Sequence, residues 1–266
     1  MRASLIAFCG LLAAGPASDQ IDEVVSSVRG GYSIAGLATR LADAKPLRYG
    51  IALFPGHPGI LRLELENEQA RYEMRGNFLV RSRRHWLDGE TLVLVLDAPS
   101  DQWATFPQRF RASPRYGADV AALLAIASQK YGVADWTFVG TSEGSVSAFH
   151  AARMNPQLAR RLILTSSLWR ATRNGAGLSD ADWSALKAPL LIVHHADDPC
   201  EFTAYRDAQR HAEKARSPLV TVRGGGPPKG GACQAFTAHG FVGVERAVVL
   251  AMRSWVKTGA TPASVP

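Results

Sequence analysis

The sequence predicts an α/β fold in which helices cover both faces of a mostly parallel sheet. Strand-like and helix-like segments alternate along the chain, as they do where each strand is followed by a helix that packs back on the sheet. The run Thr91–Leu96 (TLVLVL) is apolar throughout, which is typical of a parallel strand buried on both faces. A chain of 266 residues, 47% of them hydrophobic, can bury one large core. We therefore expect a single α/β domain over residues 18–266.

The first 17 residues have the pattern of a secretory signal peptide. Arg2 supplies a positive charge, and residues 5–14 form an apolar core that is too short to span a membrane as a helix. Small residues then precede a predicted cleavage point after Ala17. The alternative is an N-terminal helix of the domain. No later segment is long and apolar enough to span a membrane, so we expect an exported protein, periplasmic or secreted, without stable membrane insertion.

The first half of the domain supplies the early strands and helices. Residues 18–45 are polar and compatible with helix and turn, and we expect them to wrap around the edge of the domain. The runs that follow predict strands at Leu47–Phe54, 61–65 and Thr91–Leu96, and helices at 77–87 and Tyr116–Tyr131. The charge run Arg81–His85 is expected to face solvent.

The second half repeats the alternation of strand and helix. It predicts strands at Trp136–Val139, Arg161–Thr165, Pro189–Val193 and Leu219–Val222, and helices at Val146–Met154, Phe202–Ala215 and 244–256. Residues 166–188, which follow one of these strands, are too few to form a substantial cap domain. We therefore expect an open site at this edge of the sheet.

A G-x-S-x-G motif at Gly140–Gly144 lies between a predicted strand and a predicted helix. This is the setting of a nucleophile elbow, in which a sharp turn presents the serine hydroxyl beyond the end of the sheet. The two glycines leave room for the tight turn and for a neighbouring strand. The motif is short and arises by chance elsewhere, so Ser142 is a nucleophile only if the chain also supplies an acid and a base.

Two neighbouring aspartates compete for the role of the acid. The strand Pro189–Val193 runs into His194-His195-Ala196-Asp197-Asp198-Pro199-Cys200. The usual shape here is a strand followed by H-G-x-x-D, and aligning His194 with that histidine makes Asp198 the acid, with Asp197 as the alternative. The same histidines and acids invite a metal interpretation, but the ligand spacing of known zinc sites is absent, so we predict neither a metal nor a cofactor.

His239 is the predicted base, because it lies after the last predicted strand and before the terminal helix. A buried structural histidine is the alternative. Ser142, Asp198 and His239 then occur in the order Ser, acid, His, which excludes Asp97 and Asp101 because both precede the serine. In this arrangement the histidine takes the serine proton during attack on a carbonyl, and the aspartate orients the histidine.

Two backbone N–H groups are candidates to bind the resulting oxyanion. One belongs to Glu143, which follows the nucleophile, and the other to His57 in the loop Pro55–Gly59 after an early strand. An ordinary Gly/Pro turn is the alternative for that loop. Arg109 and Arg111 lie with several aromatic residues in another loop, 98–114, which either lines a substrate site or packs on the surface.

The segments PGHPG, GTSEGS, HHADDPC and CQAFTAHGF resemble the α/β-hydrolase superfamily, and more narrowly a group of exported bacterial α/β-hydrolases of undefined substrate. The resemblance runs from about residue 47 to the C-terminus. It implies an aspartate immediately before x-Cys, which favours Asp198, and a disulfide between Cys200 and Cys233. His57-Pro58 departs from the more usual Gly-Asp of the oxyanion loop.

The expected function is a carboxylesterase-like serine hydrolase that works through an acyl-enzyme. The alternatives are a thioesterase, amidase or acyltransferase with the same triad, or a non-catalytic binding protein of this fold. The net charge of +7 is scattered outside Arg81–His85 and accompanies no nucleic-acid motif, so we expect a small-molecule ester or acyl substrate and no nucleic-acid partner. The sequence leaves the oligomeric state open.

Overall fold

A nine-stranded sheet forms the centre of the computed structural model, which describes residues 20–44 and 46–266. The strands in chain order are β1 (Gln20–Arg29), β2 (Tyr32–Leu41), β3 (Tyr49–Phe54), β4 (Glu64–Glu66), β5 (Gln69–Arg71), β6 (Thr91–Leu96), β7 (Asp135–Thr141), β8 (Ala159–Thr165), β9 (Leu190–His195), β10 (Leu219–Val222) and β11 (Ser264–Val265). The helices are α1 (Phe78–Ser82), α2 (Gln108–Arg111), α3 (Pro114–Tyr131), α4 (Gly144–Met154), α5 (Tyr205–Ala215) and α6 (Glu245–Thr258). The predicted signal peptide, residues 1–17, lies outside the described residues.

The order across the sheet is β1-β2-β6-β3-β7-β8-β9-β10-β11. All neighbours from β6 to β11 in this order are parallel, and β1 and β2 add an antiparallel hairpin at one edge. Strands β4 and β5 form a separate small pair. The structure therefore confirms the predicted α/β fold with a mostly parallel sheet.

The sheet separates two apolar clusters, one on each face. Side chains of β6 alternate between them: Leu92 and Leu94 pack with the cluster on the α3 and α4 face, and Val93 and Val95 pack with the α1 and α6 face. Helices on both faces explain why this strand is apolar at every position. Residues 166–188 contain only a short 3₁₀ turn at Trp183–Ala185 and one isolated bridge, so no cap domain is built there.

The helix and turn expected within residues 18–45 were wrong, because Gln20–Arg29 and Tyr32–Leu41 form two strands, which lie at the edge of the sheet. Strands β1 and β2 pair over their full length around Gly30-Gly31, whose positive φ angles of 54° and 86° suit a tight hairpin turn. The polar residues of β1 hid its alternation in the sequence. Asp22, for example, points to Arg83, at 2.8 Å between the carboxylate and guanidinium.

Three smaller predictions also need correction. The charge run Arg81–His85 is not a solvated face, because Arg83 is buried against Asp22 and Arg81 binds Glu245. The predicted strand at 61–65 is confined to β4, and β11 follows what the sequence marked as the last strand. Arg83 and β11 have partners far away in sequence, which are Asp22 and β10. Within the described ranges, no helix is long and apolar enough to cross a membrane.

A buried carboxylate joins the end of β6 to the segment that follows β3. Asp97 Oδ1 accepts hydrogen bonds from the N–H groups of Leu61 and Ala98, at 2.6 and 2.7 Å, and its Oδ2 accepts from Leu63 at 2.8 Å. The side chain of Asp97 is buried. This contact holds residues 61–63 beside the carboxyl end of β6 without a strand pairing of their own.

We predict that Asp97→Asn lowers the free energy of unfolding by about 1–3 kcal/mol, since the amide offers one acceptor oxygen and turns an NH₂ group towards a buried N–H donor. Chemical denaturation of both proteins measures the difference. The matched control is Asp101→Asn, which removes an exposed ion pair with Arg115 and is expected to change stability by less than about 0.5 kcal/mol. Equal effects of the two substitutions would contradict the structural role of Asp97.

Candidate active site

Ser142 lies at the turn between β7 and α4 with a φ of +51°. This left-handed conformation is strained for a non-glycine residue and is the geometry of a nucleophile elbow. The N–H of Ser142 donates to the carbonyl oxygens of Thr165 and Ser166, both at 3.1 Å. The end of β8 therefore holds the turn in place from the neighbouring strand.

The two glycines of the motif are required by close backbone approaches. A Cβ at Gly144 would collide with the carbonyl oxygen of Phe54, at the end of β3. A Cβ at Gly140 would lie 2.5 Å from the carbonyl oxygen of Gly144. The first turn of α4 thus packs directly on two strands, and only glycine leaves it room.

The structure brings Asp198 against His239 and leaves Asp197 exposed. His239 Nδ1 lies 3.1 Å from Asp198 Oδ2 and 3.3 Å from Oδ1. His239 is buried on a short 3₁₀ turn, and its N–H donates to the Thr237 hydroxyl at 3.1 Å. Of the two aspartates that competed in the sequence, Asp198 is the one that contacts the histidine.

Asp198 is held by groups that favour its ionised form. Its carboxylate accepts from the Thr203 hydroxyl and from the Cys200 N–H, both at 2.9 Å. Burial by itself would raise the pKa of Asp198, but hydrogen bonds from His194 and His239 hold that pKa well below its usual range. The carboxylate therefore stays charged beside His239. Thr203 was missed in the sequence, where no motif distinguishes it.

The adjacent histidines His194 and His195 both contact backbone carbonyl oxygens. His195 Nε2 lies 3.0 Å from the carbonyl oxygen of Gly224, and His194 Nε2 contacts the carbonyl oxygen of Thr203. Both side chains are buried. In the described part of the chain, no group of three or more His, Cys, Asp and Glu side chains is arranged to hold a metal ion.

A disulfide joins Cys200 to Cys233. It links the loop of Asp198 to the loop that carries His239. A hydrogen bond from the Ser166 hydroxyl to the carbonyl oxygen of His239, at 2.8 Å, holds the same histidine loop from β8. Arg81 also donates to the carbonyl oxygen of Gly240, at 2.6 Å.

The two candidate oxyanion donors flank Ser142. A Cβ built on Gly56 would lie 3.1 Å from Ser142 Cβ, so the loop before His57 passes very close to the serine. Glu143 is the next residue in the chain. Within residues 20–44 and 46–266, neither the N–H of His57 nor that of Glu143 donates to a protein acceptor.

Ser142 and His239 line the same cavity, which has a volume of about 220 Å³. The other lining residues come from the loop after β3, from the start of α1, from the end of β7 and from the histidine loop; they are Gly56, His57, Asn77, Phe78, Thr141, Cys233, Gln234, Ala235 and Gly240. A larger cavity of about 580 Å³, between Trp183 and Trp255, lies elsewhere and includes none of the predicted site residues.

No protein-family model matches the chain, and no curated protein sequence matches it. Several solved structures are similar to the chain. Est1E from Butyrivibrio proteoclasticus is 15% identical, with 88% of this chain and 98% of that one aligned and a TM-score of 0.58. A dienelactone hydrolase from Anabaena variabilis is 16% identical over 90% and 97% of the two chains, with a TM-score of 0.57. A dienelactone hydrolase-like promiscuous phosphotriesterase, P91, from metagenomic libraries is 15% identical over 90% and 98%, with a TM-score of 0.55. The chain therefore has the α/β-hydrolase fold.

We predict that replacing both cysteines, Cys200→Ala with Cys233→Ala, lowers the free energy of unfolding by about 3–4 kcal/mol, because the unfolded chain loses a cross-link that closes a loop of 33 residues. Thermal and denaturant unfolding of the two proteins measure the loss. Peptide mapping after alkylation without reduction is the accompanying check. Recovery of Cys200 and Cys233 as free thiols in the oxidised protein would contradict the pairing.

Proposed function

We propose that this chain is a serine hydrolase that cleaves small carboxylic esters through Ser142, His239 and Asp198. One observation carries the proposal: Ser142 and His239 line one cavity, while Asp198 hydrogen-bonds Nδ1 of the same histidine. The Nδ1 proton is directed to the carboxylate, so the Nε2 lone pair is the part of the ring that serves as a base.

The first half of the reaction forms an acyl-enzyme. His239 Nε2 takes the proton of the Ser142 hydroxyl as the serine oxygen attacks the ester carbonyl carbon. The imidazolium formed in this step is stabilised by Asp198, which the surrounding hydrogen bonds keep ionised. His239 then donates that proton to the leaving alkoxide, so the alcohol departs and Ser142 carries the acyl group.

The developing oxyanion is bound by the N–H groups of His57 and Glu143. Each belongs to a segment next to Ser142, and neither is engaged by a protein acceptor within the described residues. Such donors stabilise the transition state more than the substrate, and the loss of one typically lowers kcat by about 10²–10³-fold. Water activated by His239 attacks the acyl-enzyme in the second half of the reaction and releases the acid.

The cavity favours a short acyl group. Its volume of about 220 Å³ is below the roughly 300–1,000 Å³ that is usual for sites that enclose drug-sized ligands. The leaving alcohol extends towards solvent, since residues 166–188 build no cap above the sheet. The names of the similar dienelactone hydrolase and phosphotriesterase structures agree with hydrolytic chemistry.

We also propose that the protein is exported after removal of residues 1–17. The support is the disulfide between Cys200 and Cys233, because such bonds persist in oxidising compartments and are rare in the cytosol.

We predict that p-nitrophenyl acetate and butyrate are hydrolysed with a kcat/KM at least about tenfold above that of the decanoate, and that Ser142→Ala lowers kcat by about 10⁴-fold or more. A fluorophosphonate probe is expected to label wild type and the exposed-serine control Ser184→Ala, but not Ser142→Ala. If wild type shows no turnover of any ester and no labelling by the probe, the hydrolase assignment is refuted. Turnover confined to thioesters or amides would replace the ester assignment.

We predict that Asp198→Asn lowers kcat by about 10⁴-fold, because an amide turns the imidazole to the wrong tautomer and does not stabilise the imidazolium. The neighbouring Asp197→Asn is the matched control, since its exposed side chain does not contact His239, and we expect its kcat within about twofold of wild type. Initial rates on the preferred ester measure both. A larger loss of kcat in Asp197→Asn than in Asp198→Asn would show that Asp198 is not the acid.

A further inference from the structure

Glu143, the residue after Ser142, has a buried carboxylate. Glu143 is 3% exposed, and its Oε2 lies 3.0 Å from Nδ1 of His57. Its Oε1 accepts from Gln108 Nε2 at 3.2 Å. Burial by itself would raise the pKa of Glu143, but the hydrogen bond from His57 and the charge of Arg111 hold that pKa below its ordinary value. The side chain is therefore an anion enclosed by specific partners.

Arg111 contacts both of the segments that carry the candidate oxyanion donors. It is 1% exposed, and its Nη2 donates to the carbonyl oxygen of Pro58 at 2.6 Å and lies 3.6 Å from Glu143 Oε2. The rest of the guanidinium is fixed as well, because Nε donates to the carbonyl oxygen of Phe106 and Nη1 to the Ser147 hydroxyl, both at 3.0 Å. A planar donor with this many partners has little freedom to move.

The loop Pro55–Gly59 also packs directly against the guanidinium of Arg111. Gly59 has a φ of +72°, and a Cβ there would stand 2.9 Å from Arg111 Nη2. The loop thus meets Arg111 at two adjacent residues, through the carbonyl oxygen of Pro58 and through the bare backbone of Gly59. His57, one residue before Pro58, then reaches Glu143 with its side chain.

From these contacts we infer that His57, Glu143 and Arg111 form a clamp that sets the oxyanion site. His57 and Glu143 are 86 positions apart in the chain, so no local backbone geometry fixes the distance between their N–H groups. The hydrogen bond between the His57 and Glu143 side chains fixes this distance directly, and Arg111 contacts both segments through Pro58 and Glu143. The three side chains act as positioning residues. The inference rests on the proposed function, because it assigns these N–H groups to an oxyanion.

Arg111 has a second effect in the clamp. The ionised Glu143 carboxylate belongs to the same residue as one donor N–H, and an unopposed negative charge there disfavours an oxyanion. The guanidinium of Arg111 offsets that charge in a region where water screens little. The substrate therefore meets two N–H donors without the full field of the carboxylate.

The test uses His57, because its side chain is 64% exposed and its replacement leaves the core intact. His57→Ala keeps the backbone N–H and removes the bond to Glu143. We expect kcat on the preferred p-nitrophenyl ester to fall about tenfold, with KM within about twofold of wild type. His57→Asn can place its side-chain amide where Nδ1 stood and donate to Glu143, so we expect recovery to within about threefold of wild type.

The control is His85→Ala, a partly exposed histidine that does not line the cavity, with kcat expected within about twofold of wild type. Melting temperatures of all variants, expected to agree within about 2 °C, separate positioning from unfolding. A rise in KM at unchanged kcat in His57→Ala would show that the ring binds substrate directly and would overturn the clamp. The same conclusion follows if His57→Asn is as slow as His57→Ala.

A double-mutant cycle with Glu143→Gln examines the link itself. If His57 acts through Glu143, the combined loss in kcat is smaller than the product of the two separate losses. Losses that multiply would overturn the inference.

Complete labelling of wild type and variants by a fluorophosphonate shows that Ser142 is intact. An unlabelled, inactive wild type would refute the proposed function and the clamp with it, whereas an active wild type with an equally active His57→Ala refutes the clamp alone.

Discussion

The left-handed turn at Ser142 is the constraint on which the rest of the site depends. A serine in this conformation is strained and persists only where its surroundings hold it. Here β7 enters the turn, α4 leaves it, and β8 binds its N–H. The helix lies so close to β3 that residue 144 has no space for a Cβ. With the serine fixed in this way, every group that acts with it must reach it from loops at the same edge of the sheet.

Glu143, which follows Ser142 in the chain, and Asp198, which contacts His239, both have buried carboxylates, and each is kept ionised by its own set of donors. Asp198 is bound by Thr203, the Cys200 N–H and two histidines, and Glu143 by His57, Gln108 and, through charge, Arg111. Removing a buried partner, such as Arg111, from a buried charge is strongly destabilising, whereas His57 is largely exposed. These polar networks therefore determine where the loops lie, whereas the apolar clusters on the two faces determine the fold beneath them.

Features that depend on neighbouring residues could be predicted from the sequence. The glycine spacing around Ser142 predicts the elbow, and apolar runs such as Thr91–Leu96 predict the buried strands. Partners distant in sequence could not be predicted. Arg83 reads as a solvated charge until the hairpin places Asp22 beside it, and Arg111 reads as a surface or substrate residue until the fold places it under Glu143. From the sequence alone, an arginine that pairs with a buried carboxylate cannot be distinguished from an arginine exposed to solvent.

The two sides of the cavity are fastened by different kinds of interaction. On the side of His239, a covalent bond between Cys200 and Cys233 and the hydrogen bond from Arg81 to Gly240 hold the loops. On the side of His57, the links are hydrogen bonds and charge. Reducing agents therefore act on the placement of His239, whereas the loop of His57 is insensitive to them. Added salt has little effect on the ion pair between Arg111 and Glu143, because both side chains are buried and ions screen exposed charges far more than enclosed ones.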